Sequence, residues 1–276
     1  MSDSAARDDR AAELYLELIK GCLTRELFTD SSRVLAGPSL LQRLTRNRIG
    51  GGGHRVEVGG FDPSLRAEGR DWPSEAETMI GRARLDNLER CVTDVVRQGV
   101  PGDLIETGVW RGGATILMRA VLAAYGDTTR NVWVADSFQG LPKPDAEHYP
   151  QDAGDEHWTM SDDLGIPLEA VQANFAKYGL LDDQVRFLVG WFSDTLPTAP
   201  IEKLAVVRLD GDMYESTMDG LRNLYPKLSV GGYLIVDDYG AVPACKEAVE
   251  DYRAEHGITD TEHQIDWTGI YWQRSS

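Results

Sequence analysis

The sequence predicts an α/β fold in which helices cover both faces of a doubly wound, mostly parallel sheet. From Asp103 onward, near-continuous apolar segments alternate with helical segments, which is typical of buried parallel strands joined by helices. The closing segment HQIDWTGIYWQR alternates in polarity and predicts an antiparallel strand at the C-terminus. We expect one domain over residues 1–276, with N-terminal helices and a lid over 10–99 and the sheet core over 100–276.

Two helices are predicted in the N-terminal part. Residues 10–28 form the first, because Leu14, Leu18 and Cys22 recur every four residues on one face. Ser74 and Glu77 form an S-x-x-E capping box, so we expect the second helix to follow it and to end at Gly99.

The segment between these helices, about 29–72, is predicted to be irregular. It contains the glycine runs 50–53 and 59–60, which neither a helix nor a buried strand accommodates easily. Two interpretations remain open, a disordered insert and a mobile lid over a functional site.

The core is predicted to consist of strands and helices in alternation. Strands are expected at 103–107, 131–137, 184–190, 203–210 and 231–238. Helices are expected at 113–125, from Pro167 to Gly179, and at about 214–228 and 241–256.

Composition excludes several classes of function. The 276 residues are 42% hydrophobic and carry a formal net charge of −17, which argues against a nucleic-acid partner because phosphates would be repelled. No run of 18 apolar residues predicts a membrane span, and the polar N-terminus lacks the apolar core of a signal peptide. The scattered Cys22, Cys91 and Cys245 suit a reducing cytoplasm and argue against a zinc site.

Ligands of such sheets bind at the carboxyl ends of the strands, so the residues that end strands are the informative ones. The first strand ends in Glu106, Thr107 and Gly108, followed by Trp110. Trp110 stands where a dinucleotide site needs its second glycine, and Glu106 is an anion where a phosphate would lie. Both features disfavour NAD and FAD and favour a cationic, phosphate-free cofactor such as S-adenosylmethionine. A turn without any ligand is the alternative.

Two further strand ends support a nucleoside ligand. Asp136 closes the second strand 24 residues after Gly112, a placement typical of the acid that binds ribose hydroxyls. Trp191, at the end of the third strand, is expected either to line an adenine pocket or to belong to the core.

Four aspartates follow the two remaining strands. Asp210 and Asp212 end one strand, and Asp237 and Asp238 end the next, so neighbouring strands would bring four uncompensated carboxylates together. Such anions repel one another unless a cation binds them, and oxygen-only ligands indicate Mg²⁺, with Mn²⁺ or Ca²⁺ possible. Two exposed acidic turns are the alternative.

Two other classes of enzyme use a D-x-D motif. Haloacid-dehalogenase-type phosphatases place it after their first strand, whereas here it ends a late strand. Glycosyltransferases would need basic residues for the diphosphate, and few lie near these strand ends.

Several long motifs together resemble the macrocin O-methyltransferase family. The motifs are ETGVWRGG, DSFQGLP, GWFSDTLP, RLDGDMYEST, LSVGGYLIVDDYG, RDWPSEAETMIG and IDWTGIYWQR, and the resemblance spans about residues 10–273. It implies a Rossmann-like fold of the class I methyltransferase type. It also implies a cation- and S-adenosylmethionine-dependent enzyme that methylates sugar hydroxyls on antibiotics.

The resemblance also implies roles for particular residues. Asp210, Asp237 and Asp238 match the metal ligands, and Asp212 matches the proposed general base, with His148 and His157 as less favoured alternatives. Residues 29–72 and 139–163 match variable lids that shape the acceptor pocket. The cofactor-binding residues implied are Thr78, Met79, Ile80, Glu106, Thr107, Gly108, Asp136, Ser137 and Trp191.

The acceptor implied by the resemblance is the 4-hydroxyl of noviose in an aminocoumarin such as novobiocin. A macrolide sugar hydroxyl and a catechol-like phenol are alternative acceptors. A nicotinamide oxidoreductase and a noncatalytic small-molecule binder are alternative functions. We expect no nucleic-acid or membrane partner, and a homodimer formed through the N-terminal helix.

Overall fold

The computed structural model describes residues 3–28, 32–36, 55–59 and 62–276. Nine α-helices lie within these residues, together with short 3-10 turns. They are α1 (Asp3–Leu23), α2 (Pro63–Glu68), α3 (Arg82–Gln98), α4 (Gly113–Ala124), α5 (Ser161–Leu164), α6 (Leu168–Lys177), α7 (Phe192–Thr195), α8 (Tyr214–Leu224) and α9 (Pro243–His256).

Ten strands form two sheets within the described residues. Three lie in the N-terminal part, β1 (Ser32–Ala36), β2 (Arg55–Gly59) and β3 (Trp72–Pro73). The other seven are β4 (Asp103–Thr107), β5 (Val132–Asp136), β6 (Val185–Val189), β7 (Leu204–Leu209), β8 (Leu228–Val236), β9 (His263–Gln264) and β10 (Ile270–Gln273).

The seven-stranded sheet has the order β6-β5-β4-β7-β8-β10-β9. The five strands from β6 to β8 run parallel, and β10 pairs antiparallel with both β8 and β9. The prediction of a parallel sheet with an antiparallel C-terminal strand is therefore confirmed. Strand order reverses between β4 and β7, and such a reversal opens a crevice at the carboxyl ends of these two strands.

Two apolar layers cover the sheet, as the near-continuous apolar strands require. One layer contains buried residues of α1, α3, α4 and α6, and the other contains those of α8 and α9. Strand β7 is buried along its whole length. No helix among the described residues has both the length and the apolar character that crossing a bilayer requires.

The N-terminal part differs from the prediction in three ways. Helix α1 presents Leu16 and Leu23 to the core, whereas Leu14 and Leu18, the periodic leucines, are 56% and 55% exposed. The stretch predicted to be irregular contains the sheet β2-β1-β3 and helix α2. The glycine run 50–53 lies outside the described residues.

The predicted capping box is the third difference. Helix α3 begins after Gly81, without a side-chain cap, and ends at Gly99 as expected. The Glu77 carboxylate instead accepts a hydrogen bond from the Tyr178 hydroxyl at 3.1 Å. The capping prediction was wrong because a tertiary contact engages the glutamate.

Candidate active site

A cavity of about 290 Å³ opens at the carboxyl ends of the parallel strands. Among the described residues that line it, six are acidic and one, Lys143, is basic. The acidic ones are Asp136, Asp145, Asp210, Asp212, Glu215 and Asp219. This excess of negative charge suits a cationic ligand and disfavours phosphate.

The turn after β4 forms the floor of the cavity. Gly108 has φ +80°, and a Cβ atom there would lie 1.7 Å from the carbonyl oxygen of Asp210. Only glycine therefore lets the ends of β4 and β7 approach this closely. The turn after β4 therefore lies directly against Asp210 at the floor of the cavity.

Asp136, at the end of β5, is oriented by the same turn. Its carboxylate accepts hydrogen bonds from the backbone N–H groups of Val109 at 2.8 Å and Phe138 at 2.6 Å. Burial raises the pKa of Asp136, and these N–H donors oppose the rise by stabilising its charged form. The acid is fixed in place at the cavity wall, where the sequence predicts a ribose-binding acid.

Residues 139–163, the second of the two segments predicted as lids and called the second lid below, line one side of the cavity. Gly140, Leu141, Pro142 and Lys143 line it directly. The indole N–H of Trp110 donates to the backbone carbonyl of Asp163 at 3.0 Å, which ties the lid to the turn after β4.

The middle of the second lid is held by helix α8. The Asp152 carboxylate accepts from the backbone N–H groups of Tyr214 at 2.7 Å and Glu215 at 3.0 Å. Helix α8 has no side-chain cap from its own preceding residue, so Asp152 supplies the cap from 62 residues away.

The four predicted aspartates converge beside the cavity. Asp210, Asp237 and Asp238 each offer a carboxylate oxygen, and these atoms lie within 4.8 Å of one another. The backbone N–H of Asp212 donates to Asp238 at 3.2 Å, and Asp212 has φ +57°, a backbone conformation that few residues other than glycine adopt.

Two buried arginines lie inside the acid cluster, so the expectation of uncompensated carboxylates was wrong. Arg208, on β7, is 2% exposed and contacts Glu106, Asp210 at 2.7 Å and Asp237. Arg84, on α3, contacts the other oxygen of Asp237. The guanidinium groups hold the carboxylates together and offset part of their repulsion.

Negative charge remains in excess. Six carboxylates meet two guanidinium groups here, namely Glu106, Asp210, Asp212, Asp237, Asp238 and Asp266 against Arg84 and Arg208. Burial raises the pKa of Glu106 to about 8, although Arg208 opposes the shift. Burial and the neighbouring aspartates raise the pKa of Asp238 well above its ordinary value. A further cation would keep these groups ionised at neutral pH.

His157, one of the two loop histidines, is 41% exposed and lies close enough to Asp212 to interact with its charge. Its Nδ1 is 2.7 Å from Asp155, and this contact and the nearby charge of Asp212 raise the pKa of His157. His148 is exposed and pairs with Asp145 at 2.7 Å.

The structure brings most of the predicted site residues together. Those that line the cavity are Met79, Gly108, Asp136, Ser137, Trp191, Asp210 and Asp212. Asp237 and Asp238 lie beside Asp210. Thr78, Ile80, Glu106 and Thr107 are buried and are not among the lining residues.

The residues that sequence reasoning missed are Arg84, Arg208 and Asp152. A signal existed for Arg208, because a charged residue within the apolar run KLAVVRLD must be paired when the strand is buried. Arg84 and Asp152 gave no such signal, since their partners are far away in sequence.

The sheet order and the cavity at the strand-order reversal define the class I methyltransferase fold, which is Rossmann-like. A structure described as the O-methyltransferase NovP superimposes with a TM-score of 0.85 at 49% identity, covering 96% of this chain and 100% of that one. A family model described as Macrocin-O-methyltransferase (TylF) matches residues 12–274.

Two relatives with named activities are also O-methyltransferases. The chain is 58% identical over 276 residues to a demethyldecarbamoylnovobiocin O-methyltransferase of Streptomyces niveus, covering 99% of this chain and 98% of the relative. It is 52% identical over 266 residues to a tetracenomycin 4'-O-methyltransferase of Streptomyces olivaceus that acts on a dimethoxyrhamnosyl derivative, covering 96% and 94%. The chain belongs to the macrocin O-methyltransferase family and is an O-methyltransferase.

Proposed function

We propose that this enzyme transfers a methyl group from S-adenosylmethionine to a deoxysugar hydroxyl of a glycosylated antibiotic and that it requires Mg²⁺. The observation that carries the proposal is the convergence of Asp210, Asp237 and Asp238 beside an acidic cavity. The preferred acceptor is the 4-hydroxyl of noviose in an aminocoumarin, because the identity to the S. niveus novobiocin relative, 58%, exceeds the 52% identity to the tetracenomycin relative.

The cavity is the proposed site of S-adenosylmethionine. Its acidic lining suits the ammonium and sulfonium groups, and Asp136 is placed to accept hydrogen bonds from the ribose hydroxyls. Met79, Gly108, Ser137 and Trp191 contact the cofactor in this proposal. Four buried residues are proposed to position the residues that contact the cofactor, namely Thr78, Ile80, Glu106 and Thr107.

The donor set at the acid cluster fits a hard divalent cation. Three carboxylate oxygens within 4.8 Å of one another match the preference of Mg²⁺ for oxygen ligands, and the excess negative charge favours a cation there. Asp210, Asp237 and Asp238 would hold the ion. When bound, the ion supplies Lewis acidity that lowers the pKa of an acceptor hydroxyl.

Asp212 is the proposed general base. Asp212 lines the cavity two residues after Asp210. Its backbone N–H donates a hydrogen bond to the Asp238 carboxylate, which fixes its position. Burial raises the pKa of Asp212, which makes it a stronger proton acceptor than an exposed aspartate. Holding the acceptor oxygen in line with the methyl group would supply much of the remaining rate enhancement.

Mass spectrometry of candidate acceptors tests this proposal directly. Desmethyl aminocoumarin and macrolide glycosides, and a catechol, are incubated with S-adenosylmethionine, with Mg²⁺ or with EDTA. A gain of one methyl group on a glycoside only when Mg²⁺ is present is the expected result. Methylation that persists in EDTA would contradict the metal requirement, and methylation of the catechol alone would contradict the sugar acceptor.

We also propose that the enzyme is a cytoplasmic homodimer whose chain forms one domain over residues 1–276. The exposed Leu14 and Leu18 give α1 an apolar outer face, and Leu27 and Phe28 nearby are exposed as well. The three cysteines are unpaired, as in proteins of reducing compartments. Light scattering should report a dimer, and Leu14→Glu with Leu18→Glu should give a monomer; a monomeric wild type would contradict the interface.

A further inference from the structure

Both oxygens of Asp237 are already bound by buried arginines. Arg208 donates to its Oδ1 and Arg84 donates to its Oδ2. Arg208 also donates to Oδ2 of Asp210 at 2.7 Å. A carboxylate held on both oxygens cannot rotate freely to change the way it binds a metal.

The third carboxylate of the cluster is held as well. Oδ2 of Asp238 accepts the backbone N–H of Asp212 at 3.2 Å. Of the six oxygens that the three aspartates offer, four are thus engaged. Within the part of the chain that the structure describes, no hydrogen bond reaches Oδ1 of Asp210 or Oδ1 of Asp238.

The arginines are themselves fixed. The Nε atom of Arg84 lies 2.9 Å from Asp266, which accepts backbone N–H groups from Thr268 at 3.0 Å and Gly269 at 2.8 Å. Arg208 lies on a fully buried strand. The set is rigid because no member can move without leaving a buried charge unpaired.

We propose that Arg84 and Arg208 set the metal selectivity of this site, by holding the Asp237 carboxylate in one orientation so that it binds the metal through a single oxygen. The inference rests on the metal site of the proposed function. Mg²⁺ needs near-octahedral ligands at about 2.0–2.1 Å and retains several waters, which three single-oxygen ligands allow. Ca²⁺ takes about 6–8 oxygens at roughly 2.3–2.6 Å, and often needs chelating carboxylates. The fixed set therefore favours Mg²⁺ over Ca²⁺.

Charge alone does not produce this preference. Removing Arg84 makes the site more negative, but Mg²⁺ and Ca²⁺ carry the same charge and gain similarly from that change. The ratio of the two affinities therefore reports on the freedom of the Asp237 carboxylate and not on its electrostatic surroundings.

The test is isothermal titration calorimetry of the full-length, metal-stripped protein with MgCl₂ and with CaCl₂. The variants are Arg84→Met, which frees Oδ2 of Asp237, and Arg84→Lys, which keeps one charged donor. Arg119→Met is the matched control, because Arg119 is also a buried arginine but pairs with Asp182, away from the acid cluster. Circular dichroism verifies that each variant is folded.

Wild type and Arg119→Met are expected to bind Mg²⁺ more tightly than Ca²⁺. Arg84→Met should shift the affinity ratio toward Ca²⁺ by about tenfold or more, and Arg84→Lys should shift it less. If Arg84→Met fails to fold, Arg84→Lys decides, and its ratio must still move toward Ca²⁺. An unchanged ratio in the folded variants overturns the selectivity role. Absence of binding by wild type would instead overturn the metal site of the proposed function.

Discussion

Replacing Arg208 with methionine should destabilise the protein severely, and more so at high pH. The side chain is 2% exposed and contacts three carboxylates, of which Glu106 and Asp237 are nearly fully buried. Breaking a buried ion pair by removing one partner costs about 3–5 kcal/mol, because the remaining charge stays buried and uncompensated. The free energy of unfolding should fall by at least this amount at pH 8.

The pH dependence of this loss of stability follows from the direction in which the carboxyl pKa values are shifted. The pKa of Glu106 is raised from 4.5 to about 8, so the native state binds more protons than the unfolded state between those values. Stability contributed by such a group is greatest below the unfolded pKa and is lost as pH rises toward the folded pKa. Without Arg208, which opposes the upward shifts, the pKa values of Glu106 and Asp210 rise further, so the cost of Arg208→Met should shrink at pH 6.

Urea denaturation in EDTA, followed by tryptophan fluorescence, measures this cost. Arg97→Met is the matched control, because Arg97 and its partner Asp9 are 52% and 40% exposed, and such a pair contributes about 1 kcal/mol or less. The reasoning would be refuted if the two variants lost the same free energy, or if the Arg208→Met loss did not change between pH 8 and pH 6.

Two further substitutions probe the cavity floor and the second lid. Gly108→Ala should lower the melting temperature far more than Gly126→Ala. Both glycines have positive φ, but only at Gly108 would the added Cβ meet the backbone, 1.7 Å from a carbonyl oxygen. Equal melting temperatures of the two variants would contradict this reasoning. Asp152→Ala should accelerate amide hydrogen exchange in residues 139–163 and raise the KM for the acceptor, at a cost of about 1 kcal/mol in stability. The exposed lid variant Asp162→Ala should change neither, and protection unaltered by Asp152→Ala would show that the lid is held elsewhere.

The sheet and the identity of the clustered aspartates were predictable because both depend on local patterns. Apolar runs bounded by acids mark the strand ends, and parallel strands bring those ends to one edge of the sheet. The prediction of four acids near one another needed only the order of neighbouring strands.

The arginines and the lid anchor depend on contacts between distant residues. Arg84 meets Asp237 across 153 positions, and Asp152 meets the start of α8 across 62. No periodicity or spacing encodes such pairs. The first helix was predicted from its spacing, but spacing does not tell which face packs on the core, and Leu14 and Leu18 face outward.

Magnesium affinity and turnover, measured together for two aspartate variants, test the central claim most directly. Asp237→Asn removes a proposed ligand charge and should weaken Mg²⁺ binding by about tenfold or more, with turnover lost in parallel. Asp212→Asn should keep Mg²⁺ affinity within about threefold of wild type but lower turnover by about 10²–10⁴-fold, as expected for loss of a general base. If Asp237→Asn bound Mg²⁺ like wild type and methylated its acceptor fully in EDTA, the acid cluster would not be a catalytic metal site.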